Sequence, residues 1–466
     1  MAGGLLRVTP WAPYLTFVLM GLAVGMLVRG PLWAGAVALV VGAGLFFLAG
    51  HWYPALDSGD PSQLLTLLLP PAGALAVQLL LWARIPSVLV AAALAAALCG
   101  LFAVQASTFI PTLDRRLGGE PRAETYSYDP VFFMKTFYLV ERHGEGYYQA
   151  YGQASREDAR FTQPISNLAG WRTPALTWLW ALLFRSSHDI VVGFIVAAAV
   201  SMLLGFALAA RLADAAVAVV VPALLFPYYL AALDSLHFLS YEVWAACFAM
   251  AAAALVAYRL DKLGLVFGIA AGVIREWFVS VLLAGIVRHL WRRRWLHAGV
   301  WALGLAAVVA VYALNIARAR EYLLSVGVNP ASGTQGRLGN GGPLFVLYTL
   351  QFNARFYAQE YVVPYAAFFL GLVGCAALLR RGEPFVPTLV LVPVAFFMLS
   401  GSGHKPGDPY GMDVYYSGAF LPFSMVAACC AGQLFRRRAK GEPAAAGENA
   451  ESEAVAREPS AGRSAP

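Results

Sequence analysis

Long, nearly uninterrupted apolar runs constrain this chain more than any other feature. They fall at about 12–29, 32–50, 63–83 and 86–108, and then, beyond a polar stretch, at about 174–184, 189–210, 213–232 and 238–258. Further runs follow at about 264–290, 296–316, 361–380, 385–400 and 414–435. A helix that crosses a bilayer needs ~20 mostly apolar residues, and most of these runs approach that length. A membrane β-barrel would instead show ~10-residue segments of alternating polarity. Only 13% of the 466 residues are charged and 60% are hydrophobic, whereas soluble domains average ~25% charged. That balance excludes a soluble enzyme, a nucleic-acid-binding module and a disordered protein. The expected fold is an all-α membrane protein, a polytopic bundle of about 11–13 transmembrane helices.

The polar residues divide the chain into four parts. Residues 1–108 read as an N-terminal four-helix membrane segment, and the run after Arg7 as a retained first helix rather than a cleaved signal, because no small-residue cleavage site follows it. Residues 109–172 form a loop too long for a simple connector. Residues 173–435 read as the transmembrane core, and 436–466 as a disordered tail with one Val and no larger apolar side chain after Lys440. The net charge of +7 is spread unevenly. Arg259 and Lys262, Arg288 with Arg292–Arg294, Arg380-Arg381 and Arg436–Arg438 flank apolar runs, and the positive-inside rule places them in the cytoplasm. Counting back puts 109–172, 233–241, 317–342 and 401–413 on the outer face. Residues 264–290 then have cytoplasmic charge on both sides but are too short to cross twice. They are expected to form a hairpin of two short arms with Arg275-Glu276 near its apex, a shape tolerated where it lines a cavity or is buried in protein.

The candidate chemistry clusters on that outer face. Phe132, Phe133, Phe137, Tyr138 and Val140 are spaced for the apolar face of an interfacial helix, with Lys135, Glu141 and Arg142 opposite. Asp129 precedes Pro130 and suits a helix N-cap. Glu145 stands between two glycines and before Tyr147 and Tyr148, with little to pack around its carboxylate. Arg172 precedes a Thr-Pro helix start, where it either snorkels to headgroups or binds an anion. Arg275 and Glu276 form an ionisable pair inside an apolar run, which is expensive and marks function or a structural pair. Asp234, His237, Ser240, Tyr241 and Glu242 gather at the outer end of one span, and His404, Lys405, Asp408, Asp413, Tyr415 and Tyr416 in the last outer loop. The five cysteines (Cys99, Cys247, Cys375, Cys429, Cys430) all lie in apolar runs and lack metal-ligand spacing. They read as core or lipid-facing thiols rather than a disulfide framework.

The order of these segments is GEGYYQAY, WRTPALTWLW, SYEVWAACFAM, GIAAGVIRE and YYSGAFLP. In that order they resemble the GT-C superfamily of integral-membrane glycosyltransferases, over about 125–430. The resemblance implies a mannosyltransferase-like enzyme that draws a sugar from a polyprenyl-phosphate donor and passes it to a glycan, lipid or protein acceptor. It implies that Glu145 is the base on the acceptor, with Asp129 and Glu141 as alternatives. It implies that Arg172 and Arg275 contact the donor phosphate or shape the site. Beside the resemblance, the residues themselves make Lys405 and His404 further phosphate donors, and Tyr147, Tyr148, His237, Glu242, Glu276, Tyr415 and Tyr416 lining of a cavity open to the outer face. No cofactor is called for; a divalent metal between Glu145 and Asp129 is left open, though no ligand spacing indicates one. The expected setting is a bacterial plasma membrane, with the site facing outward, the tail in the cytoplasm and no nucleic-acid partner. The alternative is a polytopic transporter or a flippase for lipid-linked sugars, which would share the helices and the intramembrane Arg-Glu pair.

Overall fold

The structure is a computed structural model that describes residues 86–117, 129–157, 165–330, 342–353, 362–400 and 417–434. The runs expected at 12–29, 32–50 and 63–83 and the tail 436–466 lie outside the described residues. Every regular element among the described residues is a helix. In chain order these are α1 (Ser87–Ser107), α2 (Ile110–Leu117), α3 (Asp129–His143), α4 (Tyr147–Glu157) and α5 (Ala175–Leu183). Next come α6 (Ser187–Leu212), α7 (Ala215–Asp234), α8 (Tyr241–Ala257), α9 (Asp261–Ile274) and α10 (Val279–Trp291). The chain continues through α11 (Trp295–Ser325), α12 (Gly342–Asn353), α13 (Val362–Arg380), α14 (Phe385–Ser400) and α15 (Leu421–Ala428). Five of them (α1, α6, α7, α11 and most of α13) are long and apolar enough to cross a membrane. Their outward side chains are apolar too: Leu303 on α11 is 71% exposed and Val104 on α1 is 66% exposed. A surface of that kind suits lipid and not water.

Helix starts follow local chemistry. Before α6, Ser186 accepts a hydrogen bond from the Asp189 amide, and the Asp189 carboxylate accepts from the Arg185 amide and the Ser186 hydroxyl. That reciprocal cap satisfies amides that a helix start leaves orphaned. Pro174 directly precedes α5, where its missing N–H costs nothing. Gly144 stops α3. Its φ of 67° is the left-handed conformation glycine tolerates, and the Glu145 amide reaches back to the Leu139 carbonyl at 3.2 Å. A left-handed glycine directly after the last helical residue is a common helix ending, so the first glycine beside Glu145 is a helix stop.

The bundle has two chemically distinct ends. At one end Arg288 pairs with Asp261 and Arg292 with Glu383, each at 2.7 Å. Arg381 donates to the Leu212 carbonyl at 2.7 Å and to Gln433, and Arg380 to the Leu434 carbonyl at 3.3 Å. Basic groups thus sit on helix C-termini, where the backbone dipole favours them. The helices that begin or end here are those whose flanking arginines mark one side of the membrane in the sequence. The region 264–290 folds back on itself from this end. α9 and α10 pack antiparallel, so that a Cβ on Gly268 would meet Val281 and Leu282, and the Asp261–Arg288 pair closes the base. Arms of 14 and 13 residues reach only ~21 Å at 1.5 Å per residue, short of the ~30 Å hydrocarbon core. The hairpin expected around Arg275-Glu276 is therefore present.

Two readings are corrected. α3 is not an interfacial helix with a wet face, because every residue from Val131 to Leu139 is buried, Lys135 and Thr136 included. The Lys135 ammonium can be buried because Glu157 of α4 meets it at 3.0 Å. Of the two placements open to the five cysteines, core and lipid-facing, the core one is found: all five are free and buried. The stretch GPLFVLYTLQFN forms α12, which the apolar runs missed.

Small residues set the closest helix contact, between α13 and α15. A Cβ on Gly374 would collide with the Ala427 backbone carbonyl, and one on Gly371 would lie 2.7 Å from the Ser424 carbonyl oxygen. Gly374→Ala is therefore expected to force these helices apart, at a cost of about 1–3 kcal/mol. Thermal unfolding in detergent reads this. An unchanged midpoint would show that the interface yields at no cost.

Candidate functional site

The hairpin apex lies at the end of the bundle opposite the arginine-capped one. α9 ends at Ile274, Arg275 takes an extended conformation and a single 3-10 turn over Glu276–Phe278 leads into α10. A helix broken here leaves its last carbonyls without intrahelical donors. Tyr312 of α11 supplies one, its hydroxyl donating to the Gly272 and Val273 carbonyls at 3.1 and 3.2 Å. The Thr173 hydroxyl supplies the other, donating to Val273 at 2.6 Å.

Arg275 is 2% exposed and is neutralised on two sides. Its Nε lies 2.6 Å from Glu242 Oε1, and its Nη1 donates to Glu276 Oε1 at 2.6 Å. The Nε–H is not aimed along the line to Glu242, so that contact is charge pairing rather than a straight hydrogen bond. The guanidinium plane stacks over the Trp277 ring at 3.7 Å, a favourable cation–π placement. Glu242 is in the first turn of α8, where the helix dipole also favours a carboxylate. Arg172 completes a quartet of two cations and two anions, 4.0 Å from Glu276 Oε1. The quartet is graded in exposure: the Arg275 and Glu242 side chains are 3% and 6% exposed, Arg172 20% and Glu276 39%. It is sealed on the Arg275 side and open on the side of Arg172 and Glu276.

The long polar loop delivers groups to the same level. Tyr147, at the start of α4, donates its hydroxyl to the Arg172 carbonyl at 2.8 Å, and Tyr148 donates to Asn315 Oδ1 of α11 at 3.1 Å. Burial pushes the Tyr147 phenol well above its ordinary range, helped by the neighbouring Tyr241 and Tyr151, so it stays a donor. Burial raises Tyr148 as well, partly offset by Arg318. Tyr147 lies two residues beyond Glu145, which sits in the turn between α3 and α4. Glu145 is half-buried, and its shielded Oε2 has no hydrogen-bond partner among the described residues.

The expected residues therefore divide into groups. Arg172, Glu242, Arg275, Glu276 and Tyr147 form one connected cluster, and Tyr148 joins it through Asn315. Arg275 does not reach open space, because Glu242 and Glu276 take its charge. Arg172 does not snorkel outward, since it turns toward Glu276. Glu141 pairs with Arg185 at 2.8 Å, and His237 Nδ1 lies 2.8 Å from the Ser235 hydroxyl. His404, Lys405, Tyr415 and Tyr416 lie outside the described residues, as does the Asp129 side chain, although its backbone begins α3. No group of three or more His, Cys, Asp or Glu side chains converges for a metal among the described residues. The sequence reading missed Thr173, Trp277, Tyr312 and Asn315. For the last two a signal existed: hydrogen-bonding side chains inside the apolar run of α11, three residues apart on one helix face.

Comparison with protein-family models, curated proteins and solved structures finds no match to this chain.

The quartet is expected to behave as a unit. Glu242→Leu leaves Arg275 short of a counter-charge in a sealed site and should cost about 3–5 kcal/mol. The double variant Glu242→Leu/Arg275→Met removes both charges, while Glu276 keeps Arg172, and should lose less than Glu242→Leu alone. Unfolding of the three proteins in detergent tests this, and strictly additive losses would refute the coupling.

Proposed function

We propose that this chain is a membrane glycosyltransferase of the GT-C type, which moves a sugar from a polyprenyl-phosphate donor to an acceptor hydroxyl at the outer face. The observation that carries the proposal is the contrast among its carboxylates. A general base has to be free to take a proton. Glu242 and Glu276 are held by Arg275, Glu141 by Arg185 and Glu157 by Lys135. Glu145 keeps an oxygen without a hydrogen bond, on the loop whose next helix docks Tyr147 against the Arg172 backbone. The free acid and the more open arginine thus belong to one connected substructure, which is what a displacement at a sugar–phosphate bond requires.

In this mechanism Glu145 removes the proton from the acceptor hydroxyl as its oxygen forms a bond to the anomeric carbon. The bond from that carbon to the phosphate oxygen breaks, and polyprenyl phosphate leaves with the electron pair. Positioned proton transfer of this kind contributes ~10²–10⁴-fold. Arg172 meets the charge that grows on the leaving phosphate, with Lys405 and His404 of the last outer loop as further donors. Arg275 acts as a positioning residue, fixing Glu276 and the hairpin apex against α8. The arginine-capped end faces the cytoplasm and the quartet faces outward, in keeping with the positive-inside rule.

Transfer from radiolabelled polyprenyl-phosphate sugars, assayed in membranes, tests the proposal. Glu145→Gln should lower transfer by about 100-fold or more at equal protein level. Transfer by the wild type that survives in Glu145→Gln would remove Glu145 as the base. Sugar or lipid-linked sugar crossing sealed vesicles with no new glycosidic bond would replace the enzyme by a transporter.

A further inference from the structure

α11 is a 31-residue helix whose buried stripe is Ala298, Trp301, Gly304, Val308, Asn315, Ala319 and Leu323. Asn315 is the one amide in that stripe and is 2% exposed. A buried amide in an apolar span is costly unless both its ends are bonded. Here both are. Its Oδ1 accepts from the Tyr148 hydroxyl at 3.1 Å, and its Nδ2 donates to the Trp171 carbonyl at 3.1 Å. One side chain thus joins α4 of the outer loop to the backbone beside Arg172.

The segment that Asn315 grips is held with unusual completeness. The Gly170 carbonyl accepts from the Tyr151 hydroxyl at 2.8 Å, the Trp171 carbonyl from Asn315, and the Arg172 carbonyl from the Tyr147 hydroxyl at 2.8 Å. Thr173 is then tied by its hydroxyl to the hairpin at Val273. Three successive carbonyls are taken by three side chains, two from α4 and one from α11. An irregular segment at this depth needs its polar groups satisfied by protein, but helix-bound water or headgroups would serve that need as well. Bonds from two rigid helices do something more: they fix where the segment lies.

We infer that Asn315 is a positioning residue that locks the Gly170–Thr173 strap to α4 and α11, and so sets Arg172 opposite the open carboxylate of Glu276. Its part in catalysis rests on the glycosyltransferase reading; its mechanical role does not. Tyr148 and Asn315 form a relay: α4 holds Asn315 through Oδ1, and Asn315 holds the strap through Nδ2. Loosening the relay leaves Glu276 on Arg275 but frees Arg172 to move, so donor binding suffers before the stability of the bundle does.

Two variants of the full chain in lipid nanodiscs test the inference. Asn315→Leu keeps the volume and removes both bonds, and Tyr148→Phe removes one hydroxyl only. The first readout is hydrogen exchange at the Gly170 and Trp171 amides, which are bonded to the Asn167 and Leu168 carbonyls. Asn315→Leu should speed their exchange by about tenfold, and Tyr148→Phe by a smaller factor, with the α9–α10 hairpin unchanged. The second readout is sugar transfer, where kcat/KM for the donor should fall at least about fivefold, with kcat sharing in the loss because Arg172 meets charge that grows in the transition state. Unchanged exchange at the strap in both variants would overturn the inference, and so would faster exchange spread evenly over α11 and the hairpin. An unchanged kcat/KM for the donor in both variants would overturn the link to Arg172. A wild type that transfers no sugar from any donor would sink the glycosyltransferase reading, and the exchange pattern would then decide the positioning role by itself.

Discussion

A guanidinium sealed inside an apolar bundle is the constraint on which the hairpin-apex half of this structure depends. Moving such an ion out of water costs several kcal/mol even after relaxation, and the cost is met only where counter-charges stand at contact distance. Arg275 meets it with Glu242 and Glu276, both at 2.6 Å, and with the face of Trp277. Each partner imposes a position on its element. Glu242 fixes the start of α8 beside the apex. Glu276 and Trp277 require that the chain turn immediately after Arg275, which is why the apolar run cannot continue as one helix. The turn strands the Gly272 and Val273 carbonyls, and their need for donors brings in Tyr312 of α11 and Thr173 of the strap.

The other end of the bundle solves a different problem with the same residue type. There Arg380 and Arg381 sit on helix carbonyls, and Arg288 and Arg292 hold single carboxylates. Among the described residues, no ring is seen stacked under any of these groups as Trp277 is under Arg275. They trim the ends of helices, and Asp261–Arg288 closes the base of the hairpin so that its two short arms stay together. The hairpin is thereby pinned at both ends by charge, with apolar packing such as Gly268 against Val281 and Leu282 between them. A short arm has few contacts with which to hold its register, and ion pairs at the base and apex supply the register that length does not.

Much of this was legible in the residues, for reasons that can be stated. An Arg-Glu pair in the middle of an apolar run has no low-cost continuation as a spanning helix, so the break at 275–276 follows from sequence alone. The partner Glu242 was legible as an intramembrane acid but not as the mate of Arg275, because 33 positions separate them and only tertiary packing brings them together. The misreading of α3 came from treating Lys135 as a marker of a wet face. Periodicity sees a polar residue; it does not see Glu157, 22 positions later, arriving to neutralise it. Asn315 was passed over because a single amide barely lowers the hydropathy of a long run. Two glycines around Glu145 suggest open space for a carboxylate, whereas Gly144, at a φ of 67°, is there to end a helix.

The grading of exposure across the quartet separates a structural cation from one able to meet a ligand. Arg275 holds its anions at 2.6 Å in a sealed site, so an incoming phosphate would have to displace a contact that the fold itself needs. Arg172 lies 4.0 Å from Glu276 and is the more exposed of the two arginines. Glu276 does not depend on Arg172: its Oε1 accepts from Arg275, and the Tyr312 hydroxyl stands 3.5 Å from Oε2. An anion that approached Arg172 would therefore draw on the loosest pair in the group while the rest stayed neutral. The strap makes this useful, because a backbone already fixed by Tyr147 leaves only the side-chain torsions of Arg172 to be ordered when it meets a charge. Preorganisation of that kind explains why three side chains are spent on three consecutive carbonyls of an irregular segment, where water at a membrane surface could have satisfied them.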